Sequence, residues 1–390
     1  MGWQDRLTTA LQQRQANQLE RQRRTLHSAQ GPVVSDGTRS LVNFCSNDYL
    51  GLAATGGTDL ARAAEKWQFG SGASHMVCGH SSAHHALEEE LARLTGYPKA
   101  LLFSTGFMAN IGAISALAQR GDLIIQDKLN HASLLDGAQL SRARMTRYRH
   151  QDYDQLTQLL QNSIPDAPAQ TLVVSDSIFS MDGDLADIER LSQICSDHDT
   201  LLMVDDAHGL GVLGEQGCGV RGHFNLAPHQ LPVYVGTLGK ALGGYGAFIA
   251  GEETVIDYLT QFARSYIYTT AFPPAIAEAM LGNIERARDN QLREQLSANI
   301  QQFRTGATDA GLPLMASDSP IQPLLTGDSQ RALDISERLR RSGYWVTAIR
   351  PPTVPQGEAR LRVTLSAAHT TDHIKGLLDA LTQAWHEVQS

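Results

Sequence analysis

Of the five lysines in this chain, Lys240 alone lies in an apolar run. Lys66, Lys99, Lys128 and Lys375 have polar or charged residues close by, as solvated ammonium groups do. Lys240 sits in Thr237-Leu238-Gly239-Lys240-Ala241-Leu242-Gly243-Gly244, just past the apolar Val233-Tyr234-Val235. Desolvation disfavours the charged amine, so Lys240 is expected to shed its proton readily and act as a nucleophile. Such a lysine is suited to forming an imine with a carbonyl compound. Taken alone, the same run also suits a lysine that snorkels out of a buried turn. Four other polar clusters follow short apolar stretches in the same way: Ser104-Thr105-Gly106, His131, Ser177 to Ser180, and Asp205 with His208.

Those clusters need a scaffold that gathers them, and the surrounding pattern supplies one. Leu101-Leu102-Phe103, Leu123-Ile124-Ile125, Leu172-Val173-Val174, Leu201 to Val204 and Val233-Tyr234-Val235 read as short buried strands. Helical segments from Phe107, Ser133 and Asp187 alternate with them, which predicts βαβ units and a mainly parallel sheet flanked by helices. Trp3 to Leu26 reads as an amphipathic helix with a basic face of Arg14, Arg21, Arg23 and Arg24. Leu41 to Phe44 reads as a strand, Gly70 to Ser82 as a loop and His84 to Leu94 as a helix. After Gly251 the pattern changes to helices over Pro273–Asn290 and Leu292–Ala310. Strands at Ile321–Leu325, Tyr344–Ile349 and Leu361–Leu365 and a closing helix over Thr371–Val388 follow. The expected organisation is an α/β fold with an N-terminal helical segment (1–45), a large domain (46–270) and a smaller C-terminal α/β domain (271–390).

In open α/β sheets, ligands bind beyond the carboxyl ends of the strands, where these clusters fall. Together they match the needs of pyridoxal 5'-phosphate. A phosphate requires backbone N–H groups at a helix start, offered by Ser104 to Phe107, and a hydroxyl, offered by Thr237. A pyridine nitrogen requires a carboxylate, which Asp205 supplies at the end of an apolar strand. His208 can donate to the phenolic oxygen, and His131 can stack on the ring. Singly, Ser104 and Thr105 would be an ordinary helix cap and either histidine a structural one; the joint set is hard to read as core packing.

The motifs Asn47-Asp48-Tyr49-Leu50-Gly51-Leu52, Asn130-His131-Ala132-Ser133, Phe179-Ser180-Met181-Asp182-Gly183, Asp205-Asp206-Ala207-His208-Gly209 and Thr237-Leu238-Gly239-Lys240 resemble the α-oxoamine synthase family, a group of fold-type I pyridoxal phosphate enzymes. The resemblance spans nearly the whole chain. It implies that Lys240 carries the cofactor as an imine and later moves the Cα proton. It implies that His131 stacks on the ring, Asp205 pairs with the pyridine nitrogen and His208 contacts the phenolic oxygen. Gly106, Phe107, Ser180 and Thr237 would complete the cofactor site. Arg362 would hold the amino-acid carboxylate, and Arg21, Asn47 and Thr353 would line the substrate channel. Ile349-Arg350-Pro351-Pro352-Thr353-Val354-Pro355, Arg360-Leu361-Arg362, Trp3-Gln4 and Arg21 resemble the family member that condenses L-alanine with a pimeloyl thioester, of CoA or of an acyl carrier protein. A relative joining glycine to acetyl-CoA, a non-catalytic synthase subunit and an aminotransferase are the alternatives. A homodimer with the site at the subunit interface is also implied. Two departures stand out: Ser175-Asp176 where relatives often have Thr-Glu, and His75 in the Gly-rich loop.

Composition agrees with an enzyme of this kind. A net charge of -9 argues against nucleic acid as the main partner. Cys45, Cys78, Cys195 and Cys218 form no CxxC pair and no metal spacing, so free thiols and no metal are expected. Neither a signal core at the start nor an apolar run long enough to span a bilayer is visible, and a cytoplasmic protein is expected.

Overall fold

The predicted alternation of strand and helix is realised in the structure, a computed structural model that describes residues 2–17, 19–21, 23–162 and 169–388. Helix α1 (Trp3–Ala16) opens the chain and buries none of its residues. The helix expected to reach Leu26 ends at Ala16, because without a packed face nothing extends a helix beyond its local propensity. Arg21, Arg23 and Arg24 therefore follow the helix rather than form its basic face. Strands β1 (Val33–Ser35) and β2 (Ser40–Asn43) make a hairpin. Helices α2 (Gly57–Trp67) and α3 (Ser82–Thr95) flank the Gly-rich loop, where His75–Gly79 forms a single π-type turn.

The central part runs β3 (Lys99–Phe103), α4 (Gly106–Leu117), β4 (Leu123–Asp127), α5 (Ala132–Ser141), β5 (Arg144–Tyr148), α6 (Tyr153–Asn162), β6 (Thr171–Asp176), α7 (Ile188–Asp197), β7 (Leu201–Asp205), the short α8 (Val220–His223), β8 (Val233–Thr237), β9 (Ala247–Gly251), α9 (Glu253–Phe262) and α10 (Arg264–Ile267). Its seven strands form one sheet in the order β3-β9-β8-β7-β6-β4-β5. All run parallel except β9, which lies antiparallel between β3 and β8. Alternate residues fill opposite faces. Leu101, Phe103, Ile124, Val174, Met203, Val235 and Ile249 pack on one side, Leu102, Ile125, Val173, Leu202, Val204 and Phe248 on the other. Each such side chain contributes roughly 1.5–3 kcal/mol on burial, which makes the sheet a rigid platform for the groups at its strand ends.

The remainder comprises α11 (Pro274–Ala287), α12 (Asn290–Asp309), β10 (Ile321–Gly327), α13 (Ser329–Arg341), β11 (Tyr344–Trp345), β12 (Thr347–Ile349), β13 (Ala359–Thr364) and α14 (Thr371–Glu387). The single strand expected over Tyr344–Ile349 is divided at the buried Val346. Its first part joins β2 in parallel, and its second joins the antiparallel β10-β13-β12 sheet. Strands β1 and β2 thus complete a small sheet with a partner about three hundred residues away in sequence.

Candidate active site

At the carboxyl ends of the parallel strands lies a cavity of about 190 Å³. Gly106, Phe107, His131, Ser180, Asp205, His208, Thr237 and Lys240, all predicted from the sequence, line it together with Asn110, Ser133, Asp176 and Ala207. A larger hollow of about 520 Å³ beside Cys195, Leu201 and His229 lies at the opposite ends of the strands and gathers no comparable set of groups.

Lys240 is held in the tight loop after β8, where Leu238, Ala241 and Leu242 are fully buried. Burial pushes its amine down to about 8, although Asp205 and Asp176 pull the other way. Its Nζ lies 3.0 Å from His208 Nε2, and His208 Nδ1 lies 2.7 Å from the Tyr49 hydroxyl. Burial, reinforced by the charges of Lys240 and Arg362, holds His208 well below the usual imidazole range. Tyr49 Oη also donates to Asn47 Oδ1 at 3.2 Å, and Asn47 Oδ1 accepts from both terminal nitrogens of Arg362 at 3.2 Å. A continuous polar chain therefore runs Lys240–His208–Tyr49–Asn47–Arg362.

Asp205, at the end of β7, accepts from Asn110 Nδ2 at 2.6 Å and from the Ala207 N–H at 2.9 Å. Asn110 is the one strongly polar side chain of the otherwise apolar α4, and it also donates to Ser133 Oγ at 2.8 Å. Its Oδ1 is buried and has no partner among the described residues. Asp176 ends β6 beside Asp205 and accepts the His131 N–H at 2.7 Å. Burial and the neighbouring Asp205 charge push Asp176 well up, favouring its neutral form. The carboxylate noted as a departure thus anchors the backbone of His131. Burial likewise lowers the His131 imidazole against the pull of Asp205, so its ring is a neutral wall.

These residues fit pyridoxal phosphate. Thr105 caps α4 through Met108 N at 3.2 Å. The N–H groups of Gly106 and Phe107 lie in the first turn, where helices have no internal acceptors. A Cβ built at Gly106 would meet nothing within 4 Å, so there is room for a phosphate to reach that turn. A held carboxylate, a neutral imidazole wall and a desolvated amine complete the match to the cofactor's ring, aldehyde and phosphate.

Ser180 and its neighbours are fixed from the C-terminal part of the chain. Arg362 Nε donates to Ser180 O at 2.6 Å, the fully buried Arg360 pairs with Asp182 at 2.5 Å, and Ser317 Oγ donates to Gly183 O at 2.8 Å. Gly183 has φ of +75°, and a Cβ there would lie 2.4 Å from Ile321 O. The predicted Arg362 and Asn47 thus reach the cavity through Ser180 and Tyr49 rather than lining it. Arg21 and Thr353 are exposed and stand outside the cavity of a single chain. Arg21 lines a separate groove with Arg24, Trp345 and Arg350. Tyr49 and Asn110 were not predicted as functional. A lone Asn among Phe, Met, Ala and Ile in residues 106–117 was the signal for Asn110; Tyr49 carried none beyond its motif.

The sequence model of the class I and II aminotransferases matches residues 39–381. The chain belongs to this family. Within it, the 8-amino-7-oxononanoate synthase of Methylococcus capsulatus is 54% identical over 381 residues, covering 96% of this chain and 97% of that protein. At that identity the chain groups with the 8-amino-7-oxononanoate synthases. The solved 8-amino-7-oxononanoate synthase of Francisella tularensis is 31% identical, with a TM-score of 0.77 over 90% of this chain and 99% of that one. A serine palmitoyltransferase of S. paucimobilis, bearing a bound PLP–myriocin aldimine, is 27% identical and superposes over both full lengths with a TM-score of 0.93. The family's fold type and its cofactor, pyridoxal phosphate, are those expected from the strand-end groups. Among the described residues no helix is long and apolar enough to cross a membrane.

Proposed function

We propose that the chain condenses L-alanine with a pimeloyl thioester, releasing carbon dioxide and the free thiol and giving 8-amino-7-oxononanoate for biotin synthesis. The observation that carries this reading is the desolvated Lys240 amine, 3.0 Å from His208 and in one cavity with Asp205 and His131. Identity to the named synthases over nearly the whole chain supports the substrate pair.

Pyridoxal phosphate, when bound, supplies an aldehyde that takes up an amine and a ring that accepts electrons. Lys240 Nζ is the group that would hold that aldehyde, and its free amine would take the proton from alanine Cα. Lowered to about 8, the amine keeps a usable neutral minority near neutrality, where a lysine at the ordinary 10.5 has almost none. Asp205, oriented by Asn110 and Ala207, would keep the ring nitrogen protonated. His208 Nε2 would hold the phenolic oxygen, and His131 would cover the ring. Arg362 offers alanine's carboxylate the two N–H groups that now meet Asn47. The new bond joins alanine Cα to the thioester carbonyl carbon, the thiolate leaves, and the former alanine carboxylate departs as carbon dioxide. Lys240 returns a proton to the same carbon.

Arg21, Arg24 and Arg350 give the outer groove a positive lining suited to a phosphate-bearing acyl donor, the place for CoA or a carrier-protein arm. Exposed Phe69, Phe107 and Tyr245 suit cover by a second copy, as in a homodimer. The test is mass identification of the product from alanine and pimeloyl-CoA, with Lys240→Ala as control. The variant is expected to lose turnover and the visible absorbance of bound cofactor. A wild-type product that retains alanine's carboxylate, or turnover undiminished in Lys240→Ala, would overturn the reading.

A further inference from the structure

Away from the cavity, four histidines and a glutamate crowd the start of α3. His80 ends the π-type turn, His84 and His85 lie in the first turn of the helix, and Glu88 follows His85 by one helical step. One ligand atom from each of His80, His85 and Glu88 falls within 4.8 Å of the others. Residues three apart face the same side of a helix, so His85 and Glu88 share the side that His80 approaches from the preceding turn.

The surroundings of His80 and Glu88 are arranged as those of metal ligands are, while the exposed His85 lies 3.4 Å from Glu89. A metal-bound imidazole usually gives its second nitrogen to an acceptor, which fixes ring and tautomer. His80 Nδ1 lies 3.0 Å from His75 Nδ1, so with His75 accepting, the lone pair of His80 sits on Nε2. That Nε2 faces Glu88 Oε2 at 3.9 Å. Glu88 Oε1 in turn accepts from the Leu102 N–H at 3.0 Å, leaving Oε2 for the shared point. His75 is itself held by stacking on Tyr266, at 5.0 Å between ring centres. Only 13% of the Glu88 side chain is exposed, and the nearest charge partner to it in the cluster is the 3.9 Å imidazole. A carboxylate so placed gains most from a compact cation. His85 is exposed, which leaves an entry path.

We propose that His80, His85 and Glu88 form a divalent-metal site for a zinc-class ion, unconnected with the cofactor chemistry. Two imidazoles and one carboxylate suit Zn²⁺ or Co²⁺ rather than Ca²⁺ or Mg²⁺, which prefer all-oxygen sites. A ligand separation of about 3.3 Å follows from metal–nitrogen bonds near 2.0–2.1 Å at tetrahedral angles, within reach once the exposed His85 turns inward. The site would clamp the π-type turn onto α3. That turn belongs to the Gly-rich loop, whose Ser74 bridges Thr270 and whose Ala73 accepts from Ala271 N.

The experiment uses untagged holoenzyme stripped with EDTA and titrated with Co²⁺. The expected result is tetrahedral d–d absorption saturating at one equivalent per chain and displaced by Zn²⁺. His85→Ala, an exposed position, and Glu88→Gln, which can still accept the Leu102 N–H, should each abolish the signal. His75→Phe, which keeps the stacking on Tyr266, should weaken affinity by roughly 10-fold through loss of the outer hydrogen bond. No stoichiometric Co²⁺ absorption would overturn the proposal. So would absorption that survives both His85→Ala and Glu88→Gln but vanishes in His75→Phe, since the ligands would then be His75, His80 and His84.

Discussion

Replacing Tyr49 by Phe removes one oxygen from the middle of the polar chain that ends at Lys240. That hydroxyl is fully buried and lies 2.7 Å from His208 Nδ1 and 3.2 Å from Asn47 Oδ1. Its single proton has two places to go, and the choice is linked to the state of Lys240. A charged Lys240 donates to His208 Nε2, His208 Nδ1–H donates to Tyr49, and Tyr49 donates to Asn47. A neutral Lys240 accepts from His208 Nε2–H, and Tyr49 donates to His208 Nδ1. In Tyr49→Phe the buried Nδ1 is unpaired in both states, at a cost of about 1–3 kcal/mol. If that cost falls on the positioning of His208 in the transition state, kcat/KM drops by about 5- to 150-fold. Charge-assisted hydrogen bonds are the stronger ones, so the charged chain loses more and the Lys240 amine moves further down from about 8. The second readout is therefore the rate at which cofactor-free protein captures pyridoxal phosphate, followed by absorbance across pH. Its midpoint should fall in the variant, alongside a loss of folded stability of about 1–3 kcal/mol. Wild-type kcat/KM together with an unmoved midpoint would show that Tyr49 is only packing.

Other outcomes follow from the same geometry. In the wild-type chain, cofactor capture should rise with pH, since the neutral amine attacks, and level off above about 8. An increase continuing to the ordinary lysine value of 10.5 would contradict the desolvation of Lys240. Asp176→Ala strands the His131 N–H and should cost about 1–3 kcal/mol of stability with weakened cofactor retention; a chemical-denaturation midpoint equal to wild type would refute the anchoring role. His150 sits between Asp127 at 3.0 Å and Asp184 at 2.7 Å. Burial opposes its charge, but those two carboxylates outweigh it and lift the imidazole to about 10. The stabilisation is thus fully present below the ordinary value of 6.5 and lost as pH rises through 10. His150→Gln should remove about 1–2 kcal/mol, held to this size by the partial exposure of the ring. A melting temperature of the variant that follows pH as the wild type does between 7 and 10 would count against it.

Much of the site was legible because strand ends announce themselves. An apolar run stopped by a polar residue places that residue at the sheet's edge, and Gly106, His131, Asp205 and Lys240 were all readable this way. The antiparallel β9 was not, because Ala247 to Gly251 has the same alternation in either direction. The pairing of β11 with β2 was equally hidden, since periodicity reports which face a residue takes and not which distant strand it meets. Arg21 drew attention through a helix that in fact ends at Ala16, and it instead lines an open groove with residues such as Arg350 from the far end of the chain. Asn47 and Arg362 were named singly, but the Tyr49 bridge that joins them to His208 is a three-dimensional fact. Side-chain reach across 315 positions of sequence is invisible to spacing.

The fastening of the Ser180–Gly183 loop has a mechanical consequence. Arg360, Arg362 and Ser317 hold that loop like three guy-lines, all tied to the same C-terminal sheet and its approach. Arg362 alone also faces the place where a substrate carboxylate is expected. Its two terminal nitrogens are spent on a neutral amide oxygen of Asn47, a weaker acceptor than an anion. An arriving carboxylate can therefore take over the fork while Nε keeps its grip on Ser180. Tension at the loop is then preserved, and Asn47 is released toward Tyr49. Occupancy by the amino acid would be felt at Lys240 through a slackened tether four side chains away, without any displacement of the sheet.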